Sequence, residues 1–411
     1  MVDIYKTLFI PNQFAFLKLL HYRIFMVLSY QIITVAVGWH LYEITHDPLS
    51  LGLIGLAEVI PYFATALFAG HAVDHYCSRR FFAMVSALLL TSNALTLTLL
   101  SANVINGHTT FWIYASVAIT GLARAFIAPS YHTLFGLMIP RELTAKASGI
   151  GTIMFQIGLI SGPAIGGLLI GFASKTTTYA VATVLALLGA LAISQIKLTE
   201  PTNTENMAVL NSIKQGLQFV FSNQIILGAL SLDMFAVLFG GAVAMLPAFV
   251  KDIYQLGPEG LGILRAMPAV GAIFTGLWLT RHPINLHAGR YLLIAVAGFG
   301  LCIIGFGLAT SIYVAGIMLL LSGVCDGVSV VLRQTILQLA TPQHMRGRVS
   351  SINGVFIGSS NELGAFESGV AAKLLGLVSS VIFGGLVTLG VVAVTAKLAP
   401  TLRELELQQL H

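Results

Sequence analysis

The sequence predicts an all-α membrane protein whose twelve transmembrane helices form two six-helix pseudo-repeats. Three observations carry that prediction. Of 411 residues only 9% are charged while 56% are hydrophobic, too little polar surface for a water-facing protein, so lipid is the solvent for most of the chain. Twelve apolar runs follow one another, each near the roughly 20 residues that cross a hydrocarbon core of about 30 Å. Lys and Arg then alternate between the connecting segments as inside and outside loops do.

The runs lie near 22–42, 51–72, 81–101, 111–138, 147–172, 177–195, 222–250, 259–279, 290–310, 312–339, 350–374 and 378–398. Stretches such as Leu88 to Leu100 are apolar on every face, unlike the alternation of a transmembrane strand, and a helix satisfies its own backbone in lipid. Asp3, Lys6, Lys18 and Arg23 surround Pro11 with no small-residue cleavage pattern, so a cleaved signal is not expected. Lys6, Lys18, Arg23, Arg79, Arg80, Arg141, Lys146, Lys197, Lys214, Arg281, Arg290, Arg346, Arg348, Lys397 and Arg403 fall on one side of the spans, against only Lys175, Lys251 and Lys373 on the other. That asymmetry predicts a multi-pass protein with both termini in the cytoplasm. The net charge of +5 is thereby a topology signal, and no basic cluster interleaved with aromatics points to nucleic acid. Cys77, Cys302 and Cys325 show no C-x-x-C spacing, consistent with neither a disulfide framework nor a zinc site.

Three segments follow from this layout: an N-terminal six-helix half (1–195), a cytoplasmic linker with the start of a surface helix (196–216), and a C-terminal six-helix half with a short cytoplasmic tail (217–411). The linker is the polar stretch Lys197 to Asn206, and the following Ser212 to Ser222 has apolar residues at 213, 217, 220 and 221, the pattern of a helix lying on the membrane. The halves echo each other. Pro140 to Ser148 aligns with Pro342 to Ser350, and the same offset brings Gly162 onto Gly364 and Gly167 onto Gly369; Gly55 and Pro61 match Gly262 and Pro268. Parallel repeats joined in this way are expected of a rocking transporter with its site at the midplane.

Local motifs sharpen the reading. Gly70, Asp74, Arg79 and Arg80 sit in a loop after the second span, Gly70-His-Ala-Val-Asp-His-Tyr-Cys-Ser-Arg-Arg80, and the fifth span carries Gly158, Gly162, Pro163, Gly166 and Gly167. The first is similar to the G-x-x-x-D-R-x-G-R-R/K loop of the major facilitator superfamily, with His75, Cys77 and Ser78 departing from it. The second resembles the G-x-x-x-G-P-x-x-G-G motif of that family's drug:proton antiporters. Trp39 to Tyr42, Gly262 to Pro268, Met345 to Asn353 and Asn361 to Gly364 resemble the bacterial subfamily of enterobactin-exporter-like siderophore and drug effluxers. The resemblance covers essentially the whole chain and implies a monomeric exporter of the bacterial inner membrane. It also implies that Asp74 meets the positive end of a helix in the other half as a gate latch, a contact of about 0.3 to 2 kcal/mol, and that Arg124 serves proton coupling or that latch. A solvated loop is the plainer reading of the first motif, and small-residue packing of the second.

Charges inside a bilayer cost several kcal/mol unless they meet a cavity or a partner. The candidates are Glu58 and Arg124 in the first half, and Asp233, Arg265, Asp326, Arg333, Glu362 and Glu367 in the second. Fixed ion pairs holding the bundle together would look the same. Asp233 leads as a proton carrier because no basic residue lies within a turn or two of it; Asp326, Glu362, Glu367, Glu58 and Arg124 complete the coupling set. Asp326 and Arg333 lie seven residues apart on one helix face, whereas Glu362 and Glu367 diverge by about 140°. Arg265 and Arg333 are the charge partners, and the repeat places Glu58 opposite Arg265. For Arg124 the plain alternative is a partner for Glu58 or Asp74. His71 and His75, spaced i,i+4, belong to the latch loop rather than to a metal site. No metal, cofactor, phosphate-binding loop or catalytic triad is expected. The function expected is export of a siderophore, drug or other amphiphilic small molecule in exchange for protons. Import or lipid flipping on the same fold and, further off, a non-transporting receptor or a membrane-embedded enzyme are the rivals.

Overall fold

A computed structural model describes residues 13–75, 79–105, 107–140, 143–197, 209–282, 284, 286–342 and 345–406. Among them no strand forms, and long helices follow one another with short connections. The first six are α1 (Gln13–Thr45), α2 (Pro48–His75), α3 (Arg79–Ser101), α4 (Thr109–Met138), α5 (Thr144–Phe172) and α6 (Lys175–Ser194). The amphipathic α7 (Val209–Ser222) precedes α8 (Gln224–Phe239), α9 (Pro258–Arg281), α10 (Ala288–Leu308), α11 (Ile312–Ala340), α12 (Arg346–Leu375), α13 (Leu377–Leu398) and the single turn α14 (Pro400–Arg403). Polar residues start several helices. Ser174 accepts from the Thr177 amide, Ser311 from that of Tyr313, and Asn223 from those of Ile225 and Ile226, so each cap satisfies amides that the helix itself leaves open. Between α12 and α13 the chain turns at Gly376, whose φ of 88° suits a residue without Cβ.

Eleven of the described segments are long and apolar enough to cross a membrane. The twelfth crossing is α12. Its 30 residues reach about 45 Å at 1.5 Å each, but Asn353, Asn361, Glu362, Glu367 and Lys373 make it more polar than its neighbours. The seventh crossing, read from sequence as one run over 222–250, is interrupted. After α8 the chain passes Gly240 and Gly241 into a tight 3-10 turn (Ala242–Met245), one helical turn containing Pro247, and a wide π turn (Phe249–Ile253). Close packing accounts for the break: a Cβ at Gly240 would lie 2.5 Å from the Phe299 ring, and one at Gly241 2.8 Å from the Gly364 carbonyl. Broken helices at membrane depth are tolerated where protein or a water-lined cavity surrounds them.

By compactness the chain forms two units, residues 1–40 with 57–206, and residues 41–56 with 207–411. In the N-terminal unit α3 packs between α4 and α6, and Asn93 locks α3 to α4 by donating to Thr120 at 2.7 Å and accepting from Ser116. Helix α5 lies along α1. Gly158, Gly162 and Gly166 face Val27, Gln31 and Ile32 in turn, so the missing side chains let two backbones approach.

In the C-terminal unit α11 packs on α9 and α10, and α13 on α10. Gly323 sits against the Pro268 backbone, and Val220 of α7 joins Ile226, Leu230, Leu337, Val349 and Ile352 in one core. Residues 41–56 belong to this unit for local reasons. Gly52 meets Gly369 backbone to backbone, Gly55 meets the Glu362 carbonyl, Tyr42 donates to Asp252, and Lys373 pairs with Asp47 at 3.0 Å.

Candidate functional site

Helix α4 carries Gly121 one turn before Arg124. Without a Cβ, Gly121 lets α4 rest on the backbone of α2 at Glu58, which brings the guanidinium to the carboxylate. Arg124 and Glu58 form a hydrogen-bonded ion pair in which the carboxylate is 5% exposed and the guanidinium 27%. Two phenol rings complete the surroundings: the Arg124 guanidinium carbon lies 4.3 Å from the centre of Tyr30 and 5.8 Å from that of Tyr62. Ring faces attract cations, so the arginine is held by a carboxylate and by aromatic electrons together. Glu58 is therefore engaged by Arg124 within its own unit, and the glycine crossing brings the two together.

A second arginine follows the same rule. Arg23 lies over the Tyr131 ring at 4.0 Å and the Phe155 ring at 5.1 Å. On α1 Arg23 and Tyr30 are seven residues apart, as are Arg124 and Tyr131 on α4, so each pair shares a face. The two helices run in opposite senses along this seam, Phe16 meeting Phe135 at 6.1 Å, and the result is two reciprocal contacts, Arg23 on Tyr131 and Tyr30 against Arg124. Sequence reasoning used Arg23 only as a topology marker and missed Tyr30 and Tyr131. Matching Arg/Tyr heptad spacings on two spans were the available signal.

In the C-terminal unit Asp233 of α8 pairs with Arg333 of α11, the side chains 9% and 3% exposed. Asp233 read in its own helix had no basic neighbour; its partner arrives from a span a hundred residues away. Arg333 thus faces Asp233. Asp326, two turns earlier on α11, has neither an ion-pair nor a hydrogen-bond partner among the described residues. Glu367 of α12 accepts from Ser368 at 3.5 Å, and Glu362 is engaged by its surroundings while its carbonyl meets the Gly55 crossing. Arg265 sits on α9 one turn before Pro268 and is likewise engaged.

Of the latch motif, Gly70 and Asp74 occupy the last turns of α2 and Arg79 opens α3; the side chains of residues 70–79, His71 and His75 included, lie outside the described residues, as do Cys77 and Ser78 altogether. Arg80 donates to the Ile196 carbonyl and Lys18 donates to that of Gln195 at 3.2 Å, so two cations close the C-terminal end of α6, where carbonyls and the helix dipole favour positive charge. In α5 the glycines at 158, 162 and 166 serve the packing on α1 described above, and Pro163 lies inside the helix. Gly151 extends that stripe toward Arg23.

Membrane helices with interior charges, a repeat and a broken crossing are the parts of a transporter, and known proteins agree. The chain is 26% identical over 387 residues to the multidrug efflux pump Tap of Mycolicibacterium fortuitum, covering 91% of this chain and 92% of that one. It is 24% identical over 373 residues to the enterobactin exporter EntS of Escherichia coli O1:K1 / APEC, covering 85% of each. Among solved structures, a bacterial homolog to the human lysosomal transporter Spinster superposes with a TM-score of 0.73 at 14% identity, covering 96% of this chain and 98% of that one. A D-xylose-proton symporter does so with a TM-score of 0.72 at 12% identity, covering 95% and 99%. At these identities the structures speak for the fold. The family model of the Major Facilitator Superfamily matches residues 22–365.

Proposed function

The chain belongs to the Major Facilitator Superfamily, a family of membrane transporters rather than enzymes, and from that premise we propose that it exports an amphiphilic small molecule, a siderophore or drug, in exchange for protons. It does so as a monomer in the bacterial inner membrane with both termini in the cytoplasm. The halves 1–195 and 217–411, joined by the linker 196–216, alternate access to a central site, with Asp74, Arg79 and Arg80 as latch. The efflux relatives support the direction of transport.

One observation carries the coupling assignment. Glu58 and Asp233 are each committed to an arginine, whereas Asp326 stands within a membrane-spanning helix without such a partner among the described residues. A carboxylate in lipid with no counter-charge changes its protonation readily as its surroundings open and close, and an exchanger needs that property. Asp326 therefore replaces Asp233 as the leading proton carrier, and Asp233 with Arg333 becomes structural.

The test compares small molecules in the medium of cells with and without the protein, grown iron-replete and iron-starved, by untargeted mass spectrometry, followed by transport of any hit into inverted vesicles under an imposed pH gradient. The expected result is a metabolite found outside only when the protein is present, its gradient-driven transport abolished in Asp326→Asn while the folded protein is retained. Undiminished gradient-driven transport by Asp326→Asn removes Asp326 from coupling. Depletion of a nutrient or redistribution of a lipid, with nothing new outside, replaces export by import or flipping.

A further inference from the structure

Where α1, α4 and α5 meet in the N-terminal unit, three features converge that the exchange mechanism does not use. Arg23 is a cation with no acidic partner among the described residues; its contacts are the faces of Tyr131 and Phe155. A guanidinium held against ring faces still carries N–H donors that can form a fork toward an oxygen pair. Tyr131 is 3% exposed, yet its hydroxyl has no hydrogen-bond partner among the described residues. Buried hydroxyls almost always have one. Both groups point at the same place: a Cβ on Gly151 would collide with the Tyr131 hydroxyl and come within 3.2 Å of an Arg23 terminal nitrogen. Beside both groups the chain carries a glycine. His132, whose ring is 5.4 Å from that of Tyr131, adds no negative charge.

We propose that Arg23, Tyr131 and Gly151 form a binding site for an anionic oxo group, a carboxylate or a phosphate, with the guanidinium rim and the phenol O–H donating to its oxygens. Gly151 lets the phenol and the guanidinium come together beside its backbone. The phenol requires an acceptor and the guanidinium requires a negative charge, and a carboxylate or phosphate oxygen supplies both at once. An amine or a neutral sugar supplies no such charge. Either the headgroup of an anionic lipid or a soluble organic anion presents this chemistry. The site stands independently of the export reading, since it rests on residues that take no part in the Asp326 assignment.

The full-length protein in nanodiscs of phosphatidylcholine alone, of phosphatidylcholine doped with phosphatidylglycerol, and of phosphatidylcholine supplied with benzoate tests this. Bound lipid is read by native mass spectrometry and benzoate affinity by calorimetry. Expected for the wild type is retained phosphatidylglycerol, which assigns the site to a lipid headgroup, or saturable benzoate binding, which assigns it to a soluble anion. In either case Arg23→Lys weakens binding about tenfold, because it keeps the charge and loses the planar fork. Tyr131→Phe weakens it about fivefold through the lost donor, and Gly151→Ala abolishes it by driving the phenol away from the guanidinium. Tyr131→Phe and Arg23→Lys are conservative enough to keep the fold, checked by unchanged elution and unfolding midpoint. Binding of neither probe by the wild type, or equal binding by wild type and both conservative variants, overturns the proposal.

Discussion

In the N-terminal unit the guanidinium of Arg23 lies on the rings of Tyr131 and Phe155, and that of Arg124 is shared between Glu58 and Tyr30; in the C-terminal unit that of Arg333 is closed against the carboxylate of Asp233. The repeat register that brings Pro140 onto Pro342 also brings Tyr131 onto Arg333 and Arg124 onto Asp326. Two positions, seven residues apart on the fourth and tenth spans, are thus polar in both halves, but the charges are rearranged. In the first half the Arg124 ion pair with Glu58 is supplemented by ring faces and Arg23 rests on rings; in the second Arg333 is paired with Asp233, and the equivalent acid, Asp326, has no cation partner among the described residues. The aligned positions are polar in both halves, while the chemistry at each differs. The described cation–π contacts all belong to the N-terminal unit.

The difference predicts unequal sensitivities. Asp233→Asn leaves the Arg333 guanidinium, 3% exposed, without a counter-charge, and breaking one side of a buried pair costs about 3 to 5 kcal/mol. The unfolding midpoint in detergent should collapse, or the protein should fail to accumulate. Replacing both partners, Asp233→Asn with Arg333→Met, should recover most of the loss, since removing the pair entirely leaves no orphan charge. A single variant as stable as the wild type would mean that the pair is not closed in the membrane.

Next in size is the crossing that places Glu58 on Arg124. Gly121→Ala puts a methyl into the backbone of Glu58, and overpacking of this kind costs about 1 to 3 kcal/mol. Gly136→Ala on the same helix, with nothing within 4 Å of its Cβ, is the control and should be neutral or slightly stabilising, because alanine favours helix by up to about 1 kcal/mol. Equal unfolding midpoints for the two variants would show that the α2–α4 contact is looser than drawn.

How much of this was legible beforehand follows from the range over which each force acts. Lipid demands some twenty predominantly apolar residues in a row, so the run 81–101 declares a span by itself, and the repeat supports α12 despite its polar residues, since Gly364 and Gly369 echo Gly162 and Gly167. Interruption of the seventh crossing was hidden, since Phe239 to Phe249 stays apolar through the break and only the Gly240-Gly241 pair followed by Pro247 hints at it. Charged residues could be found as candidates but not paired. Nothing near Asp233 in sequence announces Arg333, and Glu58 had Arg124 and Arg265 as formal options until Gly121 brought α4 onto α2. Aromatic partners were the least legible, because a tyrosine facing a cation and one facing lipid are the same letter at the same spacing.

The smallest effect separates the ring contribution from the charge contribution at Arg124. Tyr30→Leu keeps apolar bulk beside the guanidinium and removes the ring face at 4.3 Å, while Tyr62→Leu does so at 5.8 Å. Cation–π attraction is about 0.5 to 2 kcal/mol and fades toward about 6 Å, so Tyr30→Leu should lower stability by about 1 kcal/mol and Tyr62→Leu by less. The informative quantity is the coupling with Glu58→Gln in a double-mutant cycle. If ring and carboxylate hold the same guanidinium, losing the carboxylate frees Arg124 to move, and the penalty for Tyr30→Leu shrinks in that background. If the penalties simply add, the ring packs as a hydrocarbon and the resemblance between the Arg23 and Arg124 contacts is geometric rather than electrostatic, which would leave the carboxylate alone as the reason that the N-terminal unit can bury an arginine there.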